Sequence, residues 1–420
     1  MKEFDLCDSF SVEGTELAEF SEWVDRISQC TSVVRMQTNK MGLLPVIDGT
    51  VLAKVLSQYR AQNDIEPIDK RIYMPEIDKN QFFSPTLPTL KTISIDQVLK
   101  RGGSKELYEE ARDASRLFIE YNNRLYFTSS SLYESLCARA DLKGEAARDT
   151  SVEKVAFVMR RFEKKPQAVN VLVRTLSHGR ISKVMAIGSQ RYQYVPQSFF
   201  NSLIKNIYAS MGESPACYKW SINQFISTIY LEFPMLAKRF QNKFTLRDTF
   251  IPGICLVSSD THDASISACP TWRIGSSIVT GNSLYMKHSL KADIEDFFKD
   301  IKKNILLKYP DFLCRLSHFK EITVENPSLV LPHIYSALSI ERAIGKRKDD
   351  MILRERLKLF TNQTSCSAYD LAVDILRLPG AYPAKGSPAD KFRRAVYNTV
   401  YLKIDHFLYP RKSCEAERAG

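Results

Sequence analysis

The sequence predicts an α+β protein: a central, mostly antiparallel sheet with helices segregated to one side, and a helical C-terminal region. Three observations carry this reading. Period-two apolar alternation gathers in the middle of the chain, between Val169 and Thr280. Helical periodicity takes over beyond Ser289, and neither an internal repeat nor a low-complexity tract runs through the chain. Strands in the middle with helices around them argue for segregated rather than alternating elements. With 420 residues, of which 44% are hydrophobic and 11% aromatic, the chain can bury a substantial core.

Taken in order, the first third reads as an accessory region (residues 1–150), helical with a Pro-rich extended stretch. Thr15 to Cys30 has helical spacing, with Leu17, Phe20, Trp23, Val24 and Ile27 on or near one face and Thr15 placed to cap it. Pro67, Pro75, Pro85 and Pro88 then prevent continuous helix. A second helical pattern runs from Ser94 to Ile119, interrupted at Arg101-Gly102-Gly103. With no Gly-Lys-Ser/Thr after it and no strand before it, that Gly-Gly reads as a turn rather than a phosphate loop.

Residues 151–288 form the expected basic α+β core. A short helix through Val155 and Val158 ends near Pro166, and Val169, Val171 and Val173 then alternate with Asn170, Leu172 and Arg174. With Ile181 to Ile187 as the second run and Ser177-His178-Gly179-Arg180 as the turn, this predicts a β-hairpin. Pro196 opens a helix through Met211, and Ser221 to Arg239 reads as helix with a break near Pro234. Strand character returns at Ile254 to Ser258, Ala264 to Ala268, Trp272 to Ile274 and Ser277 to Thr280.

Residues 289–420 are expected to be helical and packed on the core. Helices are predicted at Leu290 to Lys308, Phe312 to Phe319, Leu329 to Ile344, Met351 to Phe360, Tyr369 to Leu378 and Asp390 to Phe407.

No apolar stretch approaches the roughly 18 residues that span a bilayer, and MKEFDLCDSF leads into no apolar segment of a secretory leader. The nine cysteines are scattered, with no C-x-x-C pair, which fits reduced thiols better than a disulfide framework or a zinc ribbon. The expectation is a cytoplasmic protein that does not engage a membrane.

Several short blocks resemble a widespread uncharacterised family of phage- or plasmid-like proteins. They are Lys183-Val184-Met185-Ala186-Ile187, Gln190-Arg191-Tyr192, Val195-Pro196-Gln197, Phe250-Ile251-Pro252-Gly253-Ile254-Cys255, Ser258-Ser259-Asp260, Thr271-Trp272-Arg273-Ile274-Gly275 and Ser367-Ala368-Tyr369-Asp370-Leu371. The resemblance spans roughly residues 150–400. It implies an origin on a mobile element, and it carries no catalytic residues across.

Charge points to a partner. The net charge is +11, and Ser151 to Phe250 alone holds fifteen Lys or Arg against five acids, together with fifteen aromatics. Cations neutralise phosphates and rings stack on bases, so this composition suits a nucleic-acid surface. The candidate residues are Arg160, Arg161, Lys164 and Lys165 before the hairpin, Arg174, Arg180 and Lys183 on it, and Arg191, Tyr192 and Tyr194 after it. The structural alternative is a solvated sheet face with buried tyrosines.

Three groups could hold a metal. Asp260, His262 and Asp263 are weak candidates, because adjacent side chains of one loop cannot all face one ion, and a polar turn explains them as well. Cys314 and His318 share a helix face and would need His333 and a further ligand, so core packing competes. Asp293, Asp296 and Asp300 align at helical spacing beside Glu295, but Lys299, Lys302 and Lys303 interleave with them, as on an ion-paired helix face. No catalytic residue and no cofactor is assigned. The expected function is that of a phage, prophage or plasmid nucleic-acid-binding protein. Its partner would be single-stranded DNA, in replication, recombination or protection, with replication or recombination proteins of the mobile element as further partners. A metal-dependent enzyme acting on nucleic acid, or a non-catalytic structural or host-interaction protein, are the alternatives.

Overall fold

Two large β-sheets organise the described residues, and helices cover them. A computed structural model describes residues 6–45, 117–142, 152–176, 182–259, 261, 265–286, 293–330, 334, 363–381 and 387–403. Within these residues the α+β class expected from sequence holds, with two large sheets in place of one.

The six-stranded sheet has the order β2-β6-β7-β5-β4-β3. Its strands are β2 (Thr31–Gln37), β3 (Gly42–Pro45), β4 (Leu117–Tyr121), β5 (Arg124–Thr128), β6 (Ala168–Thr175) and β7 (Ser182–Ser189). All its pairings are antiparallel except β5 with β7. The expected hairpin is present as β6 and β7, with a register shift between Leu172 and Val173. Val169, Val171 and Val173 point into a core shared with α2 (Leu132–Arg139) and α3 (Val152–Lys164). Leu172 faces the other way, among Met185, Ala186, Tyr194 and Phe225. Both faces are therefore covered, so the alternate residues of β6 do not mark a solvent side.

The seven-stranded sheet runs β1-β8-β9-β10-β11-β12, with β13 also paired to β11, and is antiparallel throughout. It is built from β1 (Ser11–Gly14), β8 (Ala216–Asn223), β9 (Ser227–Glu232), β10 (Ile251–Ser258), β11 (Ile266–Ile274), β12 (Ser277–Thr280) and β13 (Leu284–Met286). Its main core receives Trp220, Ile229, Leu231, Ile254 and Trp272 from the strands. Phe20, Trp23, Val24 and Ile27 come from α1 (Leu17–Cys30), the amphipathic helix read from sequence. Phe200, Leu203 and Ile207 come from α4 (Phe199–Met211). That helix ends at Gly212, whose φ of 65° is the left-handed conformation that glycine adopts without steric cost.

The C-terminal helices enter this same core. They are α6 (Ile294–Asn304), α7 (Tyr309–His318), α8 (Ala368–Arg377) and α9 (Ser387–Asn398). Asp293 caps α6 by accepting from the Glu295 N–H at 2.7 Å, and Ser367 caps α8 through the Asp370 N–H at 3.1 Å. Phe312 of α7 stacks between Trp272 and Tyr397, with ring centroids 4.9 and 5.3 Å away. Burying a ring of this size contributes about 1.5–3 kcal/mol relative to exposing it.

Two expectations are corrected. The segment Ser221 to Phe233 is not helical: it is the end of β8, then β9, and only from Pro234 does helix α5 (Pro234–Phe244) begin. Ile229 and Leu231 alternate inward, and pairing with β8 and β10 overrides the helix-like spacing of the apolar residues. The helix expected from Ser94 to Ile119 ends in strand, because Leu117 and Ile119 fill one core while Phe118 fills the other; its earlier part lies outside the described residues. The described strands of the N-terminal third form one edge of the seven-stranded sheet and four of the six strands of the other.

The helix expected at Met351 to Phe360 lies outside the described residues, as does most of Leu329 to Ile344.

Candidate nucleic-acid interface

The two hairpin cations that sequence placed on a phosphate-binding face are buried. Arg174 is 0% exposed and Lys183 1%. They sit directly opposite each other across β6 and β7. The side chains diverge to separate partners, which resolves the repulsion between them. Arg174 donates to the Gln224 backbone oxygen and, at 2.9 Å, to Gln224 Oε1, with Nε 3.4 Å from Thr31 Oγ1. Lys183 Nζ donates to the Leu6 carbonyl at 2.7 Å and to Asp8 Oδ1 at 2.6 Å. These two cations thus fasten the turn after β8 and the N-terminal segment to the six-stranded sheet. Neither reaches solvent, so neither can touch a backbone phosphate. Burial raises the Asp8 carboxyl, but the charge and hydrogen bond of Lys183, with help from Ser130, outweigh it and hold the group below its ordinary value.

The remaining candidates divide by exposure. Lys164 and Lys165 are exposed where α3 ends, and Arg191 is exposed in the turn after β7. Arg160 and Arg161 are half-buried, the latter with its guanidinium 5.5 Å from the Phe157 ring centroid. Tyr192 is buried against Gly188: a Cβ on that glycine would lie 2.5 Å from Tyr192 Cβ, so only glycine admits the ring there. Tyr192 cannot stack on a base, and this overturns half of the tyrosine assignment. Tyr194 is half-buried beside Phe225. Arg180 lies outside the described residues.

The exposed cations converge on one end of the six-stranded sheet. The Asn170 side-chain amide donates to the carbonyls of Gln190 and Tyr192 at 3.3 and 3.1 Å, which holds the Arg191 turn over the start of β6. Across β6, Asn170 faces Arg35 on the edge strand β2, and Arg35 is exposed. The Thr38 N–H donates to the Gln167 carbonyl at 2.9 Å, and the Gln167 N–H to Thr38 Oγ1 at 3.0 Å. These bonds bring the turn bearing exposed Lys40 beside Lys164 and Lys165. Five exposed cations, Arg35, Lys40, Lys164, Lys165 and Arg191, therefore border one sheet end, with Glu163 as a neighbouring acid. Sequence reasoning missed Arg35 and Lys40 because they precede the basic window by more than a hundred residues. The available signal was the strand-like run Thr31 to Gln37. Behind this end, Arg139 Nη2 donates to the Ile187 carbonyl at 2.9 Å, and burial pushes its guanidinium down from its ordinary value.

Among the described residues the metal candidates form no joint site. Asp260, His262, Asp263 and His333 lie outside the described residues. Among the described residues no three His, Cys, Asp or Glu side chains gather to hold an ion. Asp293 is engaged as a helix cap and Asp296 pairs with Lys299 at 2.7 Å, while His318 lies 3.5 Å from Glu321 beside exposed Cys314. Among the described residues no helix is long and apolar enough to cross a membrane.

No family model matches the chain, and no curated protein or solved structure is similar to it.

Proposed function

We propose that the protein binds nucleic acid, single-stranded DNA by preference, through the basic end of its six-stranded sheet, as a mobile-element protein acting in replication, recombination or protection of DNA. The carrying observation is the convergence of exposed Arg35, Lys40, Lys164, Lys165 and Arg191 around Asn170. Cations spaced along one sheet end can follow a backbone, and each phosphate neutralised releases counterions. Half-buried Tyr194 and Phe225 pack against Leu172 on the sheet face that also carries Arg35, and strand-binding surfaces combine rings with cations in this way. A single strand suits this surface because its bases are free to meet those rings.

Fluorescence anisotropy with a labelled single-stranded oligonucleotide tests the reading. Binding should weaken steeply with salt and fall sharply in a K164A/K165A/R191A variant. An absence of binding by the wild type at low salt would overturn it.

A further inference from the structure

Across the seven-stranded sheet, Tyr230, Cys255 and Cys269 form a row on β9, β10 and β11, each the direct partner of the next. Pro270 fixes the geometry of the cysteine pair. It has no N–H, and its carbonyl accepts from the Gly281 N–H at 2.8 Å, on the side away from β10. Pro270 and Ile254 are thus a non-hydrogen-bonded pair, and the adjacent Cys255 and Cys269 are a hydrogen-bonded one, whose Cα atoms lie about 5.5 Å apart. That separation falls within the range a disulfide spans, about 4.4–6.8 Å. As direct cross-strand partners, the two cysteines project from one face of the sheet, with Tyr230 next in the row.

We propose that Cys255 and Cys269 are an oxidisable dithiol, a modification site that takes small peroxides and closes to a disulfide.

Cys269 is the attacking member. The hydrogen bond from Cys255 holds its thiol below the ordinary value against the opposing effect of burial, and the Arg394 guanidinium and the Ser283 hydroxyl add to this. Arg394 is placed for it by donating to Ser283 Oγ at 2.9 Å. Both cysteines are buried, Cys269 at 8% exposure and Cys255 at 4%, so Cys269 is the shallower of the two. The Cys269 thiolate attacks one peroxide oxygen, the O–O bond breaks, and hydroxide leaves to become water, so that sulfur becomes a sulfenic acid. The Cys255 sulfur then attacks it, the S–O bond breaks, and a second water leaves with the Cys255 proton. Two thiols and one hydrogen peroxide give one disulfide and two waters, with two electrons passing from sulfur to oxygen. The new bond ties β10 to β11 covalently at the Cys255–Cys269 pair.

Full-length protein treated with equimolar hydrogen peroxide, alkylated in denaturant and mapped without reduction tests this. Titratable thiols should fall from nine to seven, with Cys255 and Cys269 in one linked peptide that dithiothreitol separates. Exposed Cys314 is the internal competitor. Oxidation of Cys314 with both strand cysteines still alkylated, or a linked peptide only in unfolded protein, overturns the proposal. In C255S, dimedone should label Cys269, while Cys255 in C269S stays unlabelled at the same dose; the reverse pattern overturns the assignment of the attacking thiol. Should either variant fail to fold, the wild-type linkage map decides the question alone.

Discussion

The Lys183 ammonium meets the Asp8 carboxylate at 2.6 Å, joining residues 175 positions apart. The lysine is 1% exposed and the aspartate 12%, so the two members contribute unequally. Asp8→Ala takes the carboxylate away from a buried cation that keeps the Leu6 carbonyl, and should cost up to about 3–5 kcal/mol. Lys183→Met removes the deeper charge and leaves an acid near the surface, so it should cost less. Urea denaturation of the two variants gives the order, and an equal or reversed order would remove the buried-cation argument.

Acid sensitivity follows from the same pair. The folded carboxyl of Asp8 lies below its unfolded value, so its contribution is complete above about pH 4 and drains away as pH falls through the lower folded value. Asp8→Asn should therefore lower stability at neutral pH and flatten the acid limb. Thermal midpoints recorded from neutral pH down to acid would read both effects.

Arg174 and Lys164 are both cations of the basic window, yet their replacement should have opposite signatures. Arg174→Ala removes two buried hydrogen bonds to Gln224 and should destabilise by about 1–3 kcal/mol, with the salt slope of binding unchanged. Lys164→Ala and Lys165→Ala should leave the melting temperature alone, and each should reduce the salt slope by about 0.7 on single strands. Denaturation and anisotropy on the same preparations separate the two roles.

Gly188→Ala couples fold to surface. Its Cβ would meet Tyr192 at 2.5 Å, and the displaced ring carries the Arg191 turn with it. A loss of about 1–3 kcal/mol is expected from such overpacking, together with weaker oligonucleotide binding. Unchanged binding in the folded variant would separate Arg191 from the interface.

Much of this architecture is legible in the residues. The valine alternation of Val169 to Val173 marks β6, and the spacing of Phe20, Trp23, Val24 and Ile27 marks α1, because in both cases local period and tertiary burial agree. The strand β9 was hidden because its neighbours Ile222, Phe225, Ile226 and Phe233 supply helical spacing as well, and only pairing with β8 and β10 decides the matter. Arg174 misled for a different reason. Its place in the alternation opposite Val173 suggests solvent, and nothing local reveals that Gln224 and Thr31 close over it. The basic end of the sheet needed Arg35 and Lys40, which only β2 pairing brings to β6.

The pairing of β1 with β8 sets Ser11 beside Asn223. During synthesis at about 5–20 residues per second, the first strand must wait roughly 10–40 s for its neighbour to be made. Until then its edge has no native counterpart. Such distant pairings slow the search for the folded state, so the ribosome-bound chain presents an early, unpaired strand that a chaperone could shield.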